Sequence, residues 1–504
     1  MKKLSIVILI AAVVVSSCSK TFFDINQNPN SSTNASVDLV LANALKVSAG
    51  FQNTAYSFLS EWMCHWAPSG SYAISSSDGS SYKQTTGFGD GLWTAYYRNL
   101  EDYDYVEKTA IASNQYFYIA AAKTMKALLY SQLVDMFNNI PYSQALQGTN
   151  NLTPTYDGAQ AVYEDLSTQL GAAVVLFQRA DAVGSLTQDI LFGVGYPSAR
   201  VPAANQTNQN ANWAKFANSL RLRLLLRQTN MSGRAGYIQT EVNKIVANGA
   251  GFLTVNAGVN PGYSNSSGKQ NPFYGFCYNT AGTFTQDFWR AAKYPIDFCK
   301  ANNDNRLGRL YALAALPVPP GGFDYVGCVQ GLSGNPVGSQ SSTFGAGSLV
   351  SVSQDAVIFS AAESYLNQAE AILRGYLAGS AQTMFNNGVQ ASFTFLGAGS
   401  SAAYTSQAGN NQTNYAACAS DAERVACIIR QKWMANNSVT PFEAWADYRR
   451  TGLPNVPLSS SSFVDVLAIP TRILYPTSEY TTNGANVGAQ GTINHHGSKI
   501  FWMP

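Results

Sequence analysis

The segment from residue 92 to 138 limits the fold more than any other. Apolar residues recur there at helical spacing over 92–113 and again over 115–138, with almost nothing between them. Two long helices joined by so short a link can only run antiparallel, packed side by side. The same periodicity marks helices at 36–66, 158–179, 213–230, 235–248, 284–302, 353–376, 381–396, 421–436 and 441–451. No comparable run of strand-like alternation competes with it, so the expected fold class is mainly α.

The paired spacing resembles tetratricopeptide-type hairpins, although no clean 34-residue consensus repeats. The expectation is a tetratricopeptide-like scaffold of helical hairpins with long loops, forming one domain. The loops fall at 67–91, 196–212, 256–283, 317–350, 397–420 and 454–500, and are rich in Gly, Ser and Asn. Loops of this length inside a folded chain are commonly functional. They carry many aromatics, among them Phe88, Tyr263, Phe273, Phe276, Tyr278 and Phe323. An aromatic set among glycines and serines adds little to a helical core, but makes a stacking surface for a sugar ring or a peptide. The ligand-contacting set expected from these stretches and their borders is Trp66, Tyr72, Tyr82, Tyr274, Trp289 and Tyr325.

The amino terminus, MKKLSIVILIAAVVVSSCSK, has a basic pair at Lys2–Lys3, an apolar stretch Leu4–Val15 and small residues before Cys18. The stretch is too short to span a bilayer stably and reads as an export signal. Small residues directly before a cysteine resemble a bacterial lipobox, which implies cleavage before Cys18 and lipidation of its sulfur. Residues 1–17 are then a lipoprotein signal peptide, 18–35 a lipidated tether and 36–504 the ligand-binding domain. Acyl chains on Cys18 suffice for stable anchoring.

Charge excludes several partners. Charged residues make up only 12% of the chain, against about 25% in typical soluble proteins. Without Lys2 and Lys3 the basic residues number 29, equal to the 29 acids. Such a chain has no basic patch for nucleic acid, and its neutral, amide-rich surface suits uncharged polar ligands. Six cysteines remain after Cys18: Cys64, Cys277, Cys299, Cys328, Cys418 and Cys427. An even number permits disulfides without fixing their pairing, and no Cys/His spacing suits zinc.

Catalytic signals are sparse. HExxH, GxSxG, the P-loop and GxGxxG are absent from the sequence, so no catalytic residue, cofactor or metal ligand is assigned. His65 reads as a packed residue. Glu363 and Glu370 share a helix and are expected to pair across a helix interface, as are Arg221 and Arg223 with acids on neighbouring helices. The stretch TPFEAWADYRRTGLP, residues 440–454, crowds two acids and two arginines into three turns. Thr440 with Glu443 forms a candidate capping box, Pro441 suits the first helical position, and Gly452 with Pro454 supplies a stop. Asp447 can pair with Arg450, and Trp445 can stack on Arg449. That is a self-anchored helix rather than an acid–base site.

An ordered series of segments resembles the SusD/RagB family of outer-membrane nutrient-binding lipoproteins. It runs FFDINQNPNSS, WTAYYRNLEDYDYV, AAAKTMKALLYSQLVDMFNNIPYSQAL, DILFG, WAKFANSLRLRLLLR, NDNRLGRLY, VIFSAAESYLNQAEAILRG, IIRQKWMANNSVTPFEAWADYRRTGLP, IPTRILYPTSEYTTN and KIFWMP. Here NNIP, residues 138–141, replaces a commoner glycine-containing turn, which Asp135 and Tyr142 are expected to fix. The resemblance implies a helical SusD-like fold and a non-catalytic protein that binds a nutrient oligomer, an oligosaccharide or in some members a peptide. It implies a SusC-like TonB-dependent transporter as partner and attachment to the outer membrane, facing the cell exterior. The alternatives are a lipoprotein glycoside hydrolase, which needs two carboxylates in an aromatic-lined cleft, and a transporter adaptor with no ligand of its own.

Overall fold

A computed structural model of the protein describes residues 35–73, 78–193, 206–317 and 322–504. The expected signal peptide, Cys18 and nearly all of the tether lie outside the described residues.

Eleven described helices of nine or more residues form the body: α1 Val37–Thr54, α2 Asp90–Ala112, α3 Tyr116–Phe137, α4 Ala159–Phe177, α5 Gln206–Arg227, α6 Ala235–Ala247, α7 Lys293–Ala301, α8 Ala361–Leu373, α9 Ala381–Leu396, α10 Asp421–Asn436 and α11 Pro441–Thr451. Sequential helices pack as hairpins: α2 on α3, α3 on α4, α4 on α5, and α8 on α9, while α10 closes over α8 and α11 follows α10. Among the described residues, three two-stranded antiparallel ribbons lie between them. These pair β1 Trp66–Pro68 with β5 Trp289–Ala291, β2 Ile140–Pro141 with β3 Tyr156–Asp157, and β4 Ala257–Val259 with β6 Ala356–Phe359.

The central helix is α3. From Phe117 to Phe137 only Lys123 and Lys126 escape full burial, as expected of a helix that is apolar around its whole circumference. Both lysines turn to acids on α2, Lys123 to Glu107 at 2.6 Å and Lys126 to Asp104 at 2.8 Å. Asn138 ends the helix at φ +67°, a conformation that Asn tolerates better than most residues.

Three expected helices are interrupted, one by a turn at 55–56 and two by ribbon strands. Residues 36–66 divide into α1, a short helix Ser57–Trp62 and the start of β1. The stretches 284–302 and 353–376 open with β5 and β6 before becoming α7 and α8. The sequence of β6, AVIF, contains two β-branched residues that suit a strand and finds a partner in β4. Ser360 then caps α8, its hydroxyl accepting from the Glu363 N–H at 3.1 Å.

Helix α11 spans the expected residues, with Pro441 in its first turn and Gly452 left-handed at φ +72°. The expected capping box does not form. Thr440 caps no backbone N–H; its hydroxyl donates to Asn436 Oδ1 at 2.8 Å. Glu443 points inward, where Arg227 reaches it at 2.5 Å and Arg223 at 3.2 Å. Arg223 also forms a fork with Glu363, at 2.7 and 2.8 Å. Arg450 bridges Glu370 at 2.6 Å and Asp447 at 2.9 Å, and Lys432 meets Asp447 at 2.7 Å. Arg449 lies 3.3 Å over the Trp445 ring. With Asp135, which pairs with Arg227, five acids and five bases are buried together, with balanced charge. Balance is what makes such burial tolerable, since an unpaired buried charge costs several kcal/mol.

Asp135 joins this network rather than fixing the NNIP turn. Its carboxylate takes Arg227 at 3.2 Å, the Trp502 indole N–H at 2.7 Å and the Tyr163 hydroxyl. The turn is held instead by Asp157, which accepts from the Tyr142 and Ser143 N–H groups at 2.9 Å each. Arg221 pairs with Glu241 of α6 at 2.5 Å, as expected. The six described cysteines are free thiols, all buried.

Candidate functional site

Residues 271–278 build one wall of an aromatic surface. Asn271 caps a short helix, Pro272–Cys277, its side chain accepting from the Tyr274 N–H at 2.9 Å, and Pro272 begins it. Helical spacing then separates the aromatics. Phe273 and Cys277 turn inward, while Tyr274 and Tyr278 stack on the outer face with ring centroids 4.7 Å apart.

The β1–β5 ribbon supplies the second wall, with Trp66 opposite Ala291 and Pro68 opposite Trp289. Trp66 is the buried keystone. It stacks on Phe273 at 5.7 Å, meets Phe276 at 6.4 Å and Trp289 at 6.2 Å, and its indole N–H donates to the Ser438 hydroxyl at 3.1 Å. The array continues outward from Trp289 to Phe288 at 4.7 Å and from Phe288 to Tyr72 at 5.2 Å, and Phe284 leans on Tyr278 at 5.2 Å. Tyr72, 45% exposed, is its outermost ring.

Local hydrogen bonds fix this geometry. Gln286 Oε1 accepts from the N–H groups of Phe288 and Trp289, at 3.2 and 3.1 Å. Ser69 ties the strands through its N–H to the Phe288 carbonyl and its hydroxyl to the Asp287 carbonyl, both at 2.8 Å. Asp287 is held by Arg290 at 2.6 Å, and Arg290 also donates to the Gly338 carbonyl at 3.1 Å. A Cβ at Gly338 would lie 1.8 Å from the Asp287 carboxylate, so a larger residue there must displace that side chain. Burial raises the Tyr278 hydroxyl above its ordinary value, and the neighbouring Tyr274 adds to this, so it stays a neutral donor. Among the described residues, no protein group pairs with the side-chain hydroxyls of Tyr72, Tyr274 and Tyr278 or with the Trp289 indole N–H. Rings backed by a rigid base and carrying free polar tips can stack on a sugar face while bonding its hydroxyls.

Four of the six expected ligand residues, Trp66, Tyr72, Tyr274 and Trp289, come together here, Trp66 beneath the surface and the others on it. Two lie apart. Tyr82 is fully buried at φ +59°; its hydroxyl accepts from the Ser459 N–H at 2.9 Å and donates to Gln330 at 3.3 Å. Tyr325 packs on the main core beside the Lys300–Asp324 pair, 2.8 Å. Phe284 and Phe288 join the array without having been singled out. Their one sequence signal is the aromatic pair Phe288–Trp289, inside a stretch that reads as helix. His65 is buried and stays neutral. Its Nε2 faces the Trp433 carbonyl at 3.0 Å, and burial pushes its pKa down to about 3. Among the described residues no cluster of His, Cys, Asp and Glu is placed to hold a metal ion, and no helix is long and apolar enough to cross a membrane.

A family profile described as SusD-like, starch-binding and associating with the outer membrane, matches residues 29–476. The chain belongs to the SusD-like family. Solved structures share its fold across nearly the whole chain. A chitin-binding SusD homologue from Flavobacterium johnsoniae is 23% identical, covers 92% of this chain and 98% of its own, and superposes with a TM-score of 0.74. A SusD-like protein from Bacteroides thetaiotaomicron is 20% identical over 93% of this chain and 99% of its own, TM-score 0.74. A SusD homologue from Bacteroides vulgatus is 20% identical over 92% and 97%, TM-score 0.73. No curated protein matches the chain. These likenesses establish the helical SusD-like architecture.

Proposed function

We propose that this SusD-like protein is a non-catalytic lipoprotein of the outer membrane that captures a neutral oligosaccharide and delivers it to a SusC-like TonB-dependent transporter. Cys18 is its lipid anchor, and the domain faces the cell exterior. The observation that carries the proposal is the aromatic array from Tyr72 through Phe288 and Trp289 to Trp66, continued by Tyr274, Tyr278 and Phe284, with unpaired polar tips on a fixed base. The charged pair at its edge, Asp287 with Arg290, is mutually satisfied at 2.6 Å, which favours an uncharged ligand over an acidic or basic one. The family description as starch-binding and the chitin-binding relative support a glycan rather than a peptide.

Binding to a panel of neutral glycans, acidic glycans and peptides tests this, with Trp289→Ala and Tyr72→Ala as probes. Burying a large aromatic side chain against ligand contributes roughly 1.5–3 kcal/mol, so Trp289→Ala should weaken glycan binding by about 10- to 100-fold. Release of shorter sugars by the wild-type protein, or glycan affinity untouched by both substitutions, overturns the proposal.

A further inference from the structure

A separate cleft shares no lining residue with the aromatic array. It has a volume of about 820 Å³ and opens between α8, α9, the residues leading into β4 and the loop 347–355. Its size is that of a small-molecule pocket, and its chemistry is uniform. Apart from tyrosine, its lining has one ionisable side chain, Asp355, and that carboxylate accepts from Asn260 Nδ2 at 2.8 Å. The rest is amide, hydroxyl and apolar surface, with half-buried rings at Tyr365 and Phe395.

The cleft is built rather than incidental. Gln354 holds the loop, its Oε1 accepting from the Val350 N–H at 2.6 Å and its Nε2 donating to the Ser348 carbonyl at 3.0 Å. Gln390 is clamped by the Ser401 N–H at 2.8 Å and the Gly399 carbonyl at 3.1 Å. Gly347 presses the loop onto the end of α9 so closely that a Cβ would lie 2.5 Å from the Leu396 carbonyl. Among the described residues the Tyr365 hydroxyl and the Asn387 amide have no protein partner. Rings, fixed amides and free polar tips beside a single carboxylate are a recognition set for a neutral polyhydroxylated ligand.

We propose that this cleft is a second ligand site, for a short neutral saccharide, in which Tyr365 and Phe395 take the apolar sugar face and Asn387 bonds its hydroxyls. It requires nothing of the aromatic array. The same loop does, however, brace both: the Gln354 carbonyl accepts from Asn271 Nδ2 at 2.9 Å, and Asn271 caps the helix carrying Tyr274.

The test is calorimetric titration and saturation-transfer NMR with maltose, cellobiose, xylobiose and N,N′-diacetylchitobiose, on wild type and on Trp289→Ala. At least one of the four should bind the Trp289→Ala protein saturably. Asn387→Ala in that background should then weaken binding about fivefold, the loss of one hydrogen bond, and Tyr365→Ala should weaken it more than Tyr365→Phe. Asn387 is exposed on α9, so its removal should leave the melting temperature unchanged. If Trp289→Ala abolishes binding of all four, or if binding persists unaltered in Asn387→Ala and Tyr365→Ala, the second site falls while the array reading stands. If binding survives Trp289→Ala at wild-type strength and is lost with Tyr365→Ala, the array reading fails and the cleft holds.

Discussion

Replacing Glu61 by glutamine should stabilise the protein at alkaline pH and leave it unchanged in mild acid. Glu61 is 1% exposed on the short helix Ser57–Trp62. Among the described residues its side chain accepts from the Ser80 hydroxyl at 2.5 Å, and no cation pairs with it. Burial pushes its carboxyl from 4.5 up to about 7, opposed only by that hydrogen bond. A raised carboxyl pKa means the folded protein holds a proton that the unfolded chain releases. Stability from this group is complete below pH 4.5, falls as pH rises towards 7, and is constant above that. The shift from 4.5 to about 7 corresponds to about 3 kcal/mol lost at pH 8. The substituted glutamine keeps the shape and an acceptor for Ser80 and has no proton to lose. Guanidinium unfolding of wild type and Glu61→Gln at pH 4.5, 6 and 8 should give a difference growing from near zero to about 3 kcal/mol in favour of the variant. A difference that is flat across this range, or that favours wild type at pH 8, refutes the reasoning.

Other outcomes follow from the buried charges and the array. Glu443→Gln strips Arg223 and Arg227 of a shared partner and should cost about 3–5 kcal/mol in the same unfolding assay at pH 7; a cost below about 1 kcal/mol would show that water or Asp447 compensates. His65, held neutral by burial at about 3 against an ordinary 6.5, makes stability fall as pH drops through 6.5 towards 3. Calorimetry at pH 5 in buffers of different ionisation enthalpy should therefore find about one more proton taken up on unfolding by wild type than by His65→Gln. Gly338→Val should displace Asp287 from Arg290 and weaken glycan binding through the array without moving the far-UV spectrum; unchanged affinity would show that this pair does not hold the platform.

The helical scaffold is legible in the sequence because its signals are local. Periodicity bounds α9 and α10 correctly, as do Pro441 and the Gly452 stop for α11, and the pairing of Arg221, Arg223, Glu363 and Glu370 follows from charged residues on otherwise apolar helices. The failures are tertiary. Nothing within AVIF or around Trp289 says that a strand partner waits far along the chain in β4 or β1. Glu443 sits at capping-box spacing, yet two arginines of α5 outcompete a single backbone N–H for its carboxylate. The aromatic array proposed as the site is legible in part for the same reason. Trp66, Tyr72, Tyr274 and Trp289 stand out by composition, but Tyr82 carries the same loop signature and is fully buried, and Phe288 gains its place only from pairing with β1.

The β1–β5 ribbon also bears on how a ligand can be found. Strands from distant parts of the chain meet only in the finished fold, so an unfolded or half-folded molecule presents no array. A ligand of the array would then bind the native state alone and raise its stability by mass action, by about 2.7 kcal/mol when its free concentration reaches roughly 100 times Kd. A plain melting curve, run against unlabelled glycans one at a time, then tests for a ligand, and the part of any shift that Trp289→Ala removes is the part owed to the array.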